Sequence, residues 1–130
     1  MPFDPKEFLA MAKRLVDDTD YAEESAFRTC ISRAYYSAFL LCRTFLENKH
    51  GFNFPRRADA HRLVVSRLRQ RKVIKSLPGP YGERFIVADS LKTLRESGRN
   101  SADYDISSSI DQSSAQAWIQ LADYIVNRIP

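Results

Sequence analysis

Three groups of side chains in this chain have the types and spacing to do chemistry. Lys92, Arg95 and Arg99 recur at i, i+3 and i+7. On a helix they would share one face, and two guanidiniums a turn apart make a bidentate clamp for phosphate. The opposing reading is internal pairing with Asp89, Glu96, Asp103 or Asp105, which charge alone favours. The second group is the segment from Arg56 to Lys75. It holds Arg56, Arg57, Arg62, Arg67, Arg69, Arg71, Lys72 and Lys75 against one acid, Asp59, for a net +7. The whole chain carries +4, so the remainder sums to −3. Such a face could neutralise several phosphates of a nucleic acid; equally, it could be solvated, or dock on the acidic first helix and its Asp17–Asp20 turn. The third group is Ser32-Arg33-Ala34-Tyr35-Tyr36-Ser37-Ala38-Phe39. Its spacing puts Arg33, Tyr36 and Ser37 on the polar side of a helix, with Tyr35 and Phe39 facing inward or toward a neighbouring chain; tyrosines so placed usually pack at the edge of a core.

Other chemistry is not encoded. His50 and His61 lack Cys or carboxylate neighbours at metal-ligand spacing. Neither a glycine-rich phosphate loop nor a Gly-x-Ser-x-Gly elbow occurs. Cys30 and Cys42 sit on or beside an apolar stripe of one helix, about 18 Å apart along its axis, too far to bridge. Burial as thiols is the simpler role. No cofactor and no metal are expected.

The elements that must position these groups read as helices. Asp4-Pro5 is a capping side chain followed by Pro at the first helical position, and Phe8, Met11, Ala12 and Leu15 follow at helical spacing until Asp17. A second helix is expected from near Asp20, with Glu23 in capping-box spacing, to Lys49-His50-Gly51. Its stripe of Phe27, Ile31, Ala34/Tyr35, Ala38, Leu41/Cys42 and Phe45 is widened by Phe39, Leu40 and Leu46, as befits a central helix wrapped by partners. After a loop from Gly51 to Arg57, a third helix is expected from Asp59 to Ser76, ended by Pro78-Gly79-Pro80. A fourth runs from Glu83 to Ser97 over Ile86/Val87, Leu91 and Leu94, with Gly98-Arg99-Asn100 expected to weaken or bend it. A fifth starts in Ser107–Ser109 or at Asp111 and carries Ala115, Trp118, Leu121/Ala122, Ile125 and Ile129. The reading is all-α: one domain over residues 1–130, an antiparallel four- to five-helix bundle. Its 130 residues, 44% hydrophobic and 28% charged, exclude a disordered chain. No apolar run is long enough for a membrane span. The start Met-Pro-Phe-Asp-Pro-Lys-Glu is not a signal peptide, so a cytoplasmic location without membrane contact is expected.

In this order and spacing the segments resemble the HEPN family (higher eukaryotes and prokaryotes nucleotide-binding). The likeness lies in Ser32-Arg33-Ala34-Tyr35-Tyr36-Ser37-Ala38-Phe39 on a long second helix and in Ala60-His61-Arg62-Leu63-Val64 opening the next. It ends with Leu94-Arg95, then Arg99-Asn100-x-x-Asp103-Tyr104-Asp105 and a closing amphipathic helix, so that it spans about Pro5 to Arg128. The resemblance implies a helical bundle that dimerises, with a groove between protomers lined by the polar motif at the end of helix four. Many members are metal-independent ribonucleases, often toxins of toxin–antitoxin or defence modules, whose motif is Arg, four to six residues, then His. Here Arg99 takes the Arg position and Tyr104 that of His. A phenol near pKa 10 is a poor general base where an imidazole near 6.5 serves, so the chain looks like a branch with Tyr in place of His. Other members are non-catalytic partners of minimal nucleotidyltransferases.

Three readings follow. The first is a binding module holding RNA or a nucleotide at Arg33, Tyr36, Arg95, Arg99, Asn100, Asp103 and Tyr104. The second is a ribonuclease toxin using Arg99, with Tyr104 the other catalytic candidate. The third is a purely structural protein whose motif stabilises a homodimer or an antitoxin contact.

Overall fold

The computed structural model describes residues 3–57 and 59–130. These form helices α1 (Lys6–Val16), α2 (Glu24–His50), α3 (Ala60–Leu68), α4 (Arg71–Ser76), α5 (Tyr81–Arg84), α6 (Ile86–Thr93), α7 (Asn100–Tyr104) and α8 (Gln112–Val126), with no strand among the described residues. A π-helical segment, Leu94–Arg99, joins α6 to α7, making one rod from Ile86 to Tyr104. The fold is an all-α bundle built on the long second helix. No helix among the described residues is long and apolar enough to cross a membrane.

The caps set the helix ends. Asp4 Oδ1 accepts the Lys6 amide at 3.0 Å with Pro5 between them, satisfying one orphan donor of α1. At the end of α2, Gly51 takes φ +70°, where a side chain would be strained, and the Phe52 amide reaches back to the Leu46 carbonyl at 3.2 Å. Asp111 caps α8 through Oδ1 to the Ser114 amide at 2.8 Å.

Helix α2 is the hub. Its Ile31, Ala34, Tyr35, Ala38, Phe39, Cys42, Phe45 and Leu46 are all buried, and it touches α1, α3, α6, the π segment, α7 and α8. Against it, α1 contributes Leu9, Ala12 and Val16, and α8 contributes Ala115, Ile119, Ala122 and Ile125. Each fully buried Leu or Ile side chain adds about 1.5–3 kcal/mol of apolar transfer free energy, which binds six elements to one axis.

Several boundaries differ from the sequence expectation. Helix α2 starts at Glu24 rather than near Asp20, because Asp18 Oδ1 captures the Asp20 amide at 2.9 Å and closes a short 3₁₀ turn, Thr19–Tyr21. The expected third helix is broken at Arg69-Gln70 into α3 and α4. A continuous helix extending the buried stripe Val64, Val65, Leu68 would bury Arg71, Lys72 and Lys75. The apolar residues are instead Val73, Ile74 and Leu77, all buried, so the chain must reset its phase. The fourth helix does not end at Ser97 but continues through Gly98 to Tyr104. Ser37 is fully buried, not on the polar side of α2. Cys30 and Cys42 are buried and unbridged; burial pushes their thiols up to about 11 and about 12, further from the reactive thiolate.

Candidate functional site: a basic, aromatic cleft

The cleft is organised by the π segment. The Asn100 amide donates to the Arg95 carbonyl five residues back, widening the turn that carries Arg95 and Arg99; such widened turns are frequent at functional sites. Gly98 allows the segment to sit where it does. A Cβ there would lie 3.0 Å from Trp118 Cδ2 and 3.1 Å from Cε3, so the backbone rests on the indole face of α8. Just downstream, Arg28 of α2 anchors the end of the rod. Its Nη1 donates to the Ser101 and Ala102 carbonyls at 3.0 Å each, and Nη2 to the Ser108 carbonyl at 2.7 Å, satisfying acceptors a helix end leaves open. Glu24 accepts the Ile110 amide at 2.7 Å, and that bond holds its carboxyl below the ordinary range.

Arg99 is tightly held. Its Nε lies 3.0 Å from Asp103 Oδ2. Nη2 donates to Tyr36 Oη at 3.0 Å and Tyr104 Oη at 3.2 Å, and Nη1 to Asn100 Oδ1 at 3.2 Å. The guanidinium also lies 5.1 Å from the Tyr104 ring centroid and 5.5 Å from that of Tyr36, within cation–π range. Desolvation disfavours the charge, but Tyr36, Tyr104 and Asp103 more than offset it and raise the guanidinium pKa. Ser32 donates to Asp103 at 3.2 Å, holding the carboxylate in place. Of the four acids weighed as internal partners, Asp103 pairs with Arg99. Asp105 accepts from the Ser107 amide and hydroxyl, and Asp89 pairs with Arg69 at 2.6 Å. Arg95 makes no ion pair among the described residues, and its buried Nε finds no partner there.

Tyr36, Arg95, Arg99, Asn100 and Tyr104 line one cleft of about 750 Å³, together with Phe39, Leu40, Arg43, Pro55, Arg56, Arg57, Ala60 and His61. Arg33 and Asp103 lie outside it and border a smaller hollow of about 430 Å³ with Ser25, Arg28, Thr29 and Ser32. There the Arg33 guanidinium packs between the Phe8 ring (5.1 Å) and the Tyr36 ring (5.3 Å), supporting Tyr36 from behind.

His61 is the group that the sequence reading did not place at the site. It stacks on Phe39 with centroids 4.1 Å apart, and its Nδ1 is hydrogen-bonded to the Tyr35 hydroxyl. Burial first, then Arg95, Arg99 and Arg43, lower its pKa to about 4, so the ring is neutral at pH 7. Tyr35 stays protonated, since burial raises its phenol well above the ordinary value. Arg43 was likewise not singled out; desolvation and repulsion from Arg56 lower its pKa against the attraction of Glu47.

The basic segment is divided. Arg56 and Arg57 reach the cleft but pair with Glu47 (3.3 Å) and Asp59 (2.9 Å). Arg62 and Arg69 border a second basin of about 390 Å³ with Lys92 and Arg95. Arg67 and Lys72 lie over the Phe52 ring at 5.3 and 4.8 Å. Arg71 and Lys75 are exposed. Among the described residues the segment's ion pairs are with Glu47, Asp59 and Asp89, not with α1 or the Asp17–Asp20 turn.

Compared with models of known families, with curated proteins and with solved structures, the chain finds no match. The chemistry of the site therefore rests on its own residues. No three His, Cys, Asp or Glu side chains come together among the described residues in a way that could hold a metal. Guanidiniums backed by aromatic rings suit an oxyanion attached to a planar base.

Proposed function

We propose that this chain is a HEPN-like nucleotide- or RNA-binding module, working as a cytoplasmic homodimer in a toxin–antitoxin or defence-type system. The observation that carries the reading is the convergence of Arg95, Arg99, Tyr36 and Tyr104 on one cleft from α2 and the π rod. Guanidiniums recognise phosphate, and the exposed Tyr104 ring offers stacking to an unpaired base. An antitoxin or a minimal nucleotidyltransferase is the partner class that goes with this reading. Tyr104 is 68% exposed and nearby Ile106 is 93% exposed, which supports a second copy covering that rim and closing the cleft between protomers. The test is titration of purified protein with single-stranded RNA across a salt series. Binding that weakens steadily with salt is expected; no binding even at about 50 mM salt overturns the reading.

A second reading, a metal-independent ribonuclease, is favoured by the presence of His61 in the same cleft as Arg99. The reading requires the tautomer with Nδ1–H toward the Tyr35 oxygen, which leaves Nε2 to accept the proton of a ribose 2′-hydroxyl. The 2′-oxygen then attacks phosphorus as the P–O5′ bond breaks, a solvent water supplies the proton to the leaving 5′-oxygen, and Arg95 and Arg99 stabilise the charged phosphorane. On this reading, RNA incubated with chelator yields 2′,3′-cyclic phosphate ends, and His61→Gln or Arg99→Ala abolishes them. RNA left intact by the unaltered protein after long incubation overturns it.

A further inference from the structure

The cleft does not stand alone. His61 and Arg95 line both it and the second basin, which continues past Arg62, Arg69 and Lys92. Two features separate this basin from an ordinary charged surface. First, neither Arg62 nor Lys92 forms an ion pair among the described residues, and Arg95, at the junction, forms none either. Second, Arg69 is held by Asp89 only through a pair exposed on both sides, which solvent and salt weaken and which can be exchanged for a phosphate. Among the described residues Glu96 is the one carboxylate on the basin's wall, so cations outnumber it. The aromatic groups, Tyr36, Phe39 and Tyr104, are confined to the first cleft. One chamber therefore offers tyrosine and phenylalanine rings with cations, and the adjoining one an excess of cations over Glu96 with no tyrosine or phenylalanine ring.

We infer that the second basin is a subsite for the neighbouring phosphate of the bound strand, so that the protein recognises a single-stranded polynucleotide of several residues rather than a mononucleotide. The inference rests on the nucleotide-binding reading and deepens it. A base and its phosphate occupy the first cleft; Arg95 stands where the backbone passes from one chamber to the next; Arg62 and Lys92 neutralise the following phosphate. Both of these side chains are exposed, so replacing them leaves the core and the first cleft intact.

Fluorescence anisotropy with AMP as competitor, a labelled ten-nucleotide single-stranded RNA, and DNA of the same sequence tests this directly. The ten-mer should bind more tightly than AMP. In the Arg62→Ala/Lys92→Ala variant, ten-mer affinity should fall about tenfold or more. The slope of log affinity against log salt should shrink by about 1.4, the loss of two phosphate contacts on a single strand. AMP affinity should stay as it was. Whichever of the RNA and DNA strands binds more tightly identifies the sugar recognised. Ten-mer affinity and slope unchanged in the variant, with AMP and ten-mer both bound, overturn the subsite and leave the first cleft standing. Neither probe binding the unaltered protein at about 50 mM salt removes the underlying reading and the subsite with it.

Discussion

Arg95 and Arg99 differ in what holds them, so a substitution at Arg95 tests binding with less disturbance of the architecture than one at Arg99. Arg99 is engaged by Asp103, Tyr36, Tyr104 and Asn100, so its removal leaves a carboxylate without its cation and disturbs three elements at once. Arg95 has no ionic partner among the described residues. The pairing of Arg99 with Asp103 was one of four options in the sequence, and only the fold selects it. His61 was illegible as a site residue for a related reason. Its hydroxyl partner Tyr35 lies 26 residues away on α2, a distance no local spacing rule spans. Its lowered pKa makes a prediction at this scale. The unfolded imidazole titrates near 6.5, the folded one at about 4, so the unfolded chain binds more protons between these values. Stability should therefore be complete above about pH 6.5 and decline as pH falls toward 4. Thermal melts at pH 7 and pH 5 should show that His61→Gln loses less stability on acidification than the unaltered protein. An equal loss in both would contradict the assignment.

At the scale of elements, the π segment decides where the cleft residues point. Sequence periodicity carries the fourth helix to about Ser97 and reads Gly98-Arg99-Asn100 as a stretch that weakens or bends it before Asp105. In the fold Gly98 is instead a point of close approach, its α-carbon against the Trp118 ring. In an ordinary helix interior, Gly→Ala would stabilise by about 0.5–1 kcal/mol. Here the added methyl would meet ring atoms at 3.0–3.1 Å, and the half-buried indole must shift to admit it. We expect Gly98→Ala to lower the melting temperature and to weaken RNA binding, because the displaced turn carries both arginines. A raised melting temperature with unchanged binding would show that the turn is not held by this contact. The division of the basic segment into α3 and α4 was, by contrast, available in the sequence: the apolar phase jumps between Leu68 and Val73. A single helix was nevertheless expected, because neither Gly nor Pro marks the break.

Across the whole molecule, the all-α class, the hub role of α2 and the caps at Asp4, Gly51 and Asp111 were legible. They depend on local signals repeated along the chain. The convergence of α2, α3 and the π rod on one cleft was not, since it depends on how the core packs. Charge is distributed accordingly. The +7 segment does not form a single face: some of its cations enter the cleft, some the neighbouring basin, and two cover the Phe52 ring. On the proposed function, this cleft holds a phosphate-bearing strand through Arg95 and Arg99. The most direct test is anisotropy titration of single-stranded RNA between about 50 and 200 mM salt, comparing the unaltered protein with Arg95→Ala and following the melting temperature of each. The account predicts salt-dependent binding, weakened about tenfold or more by the substitution, with little change in melting temperature. Equal affinity in both proteins, or no binding at the lowest salt, would contradict it.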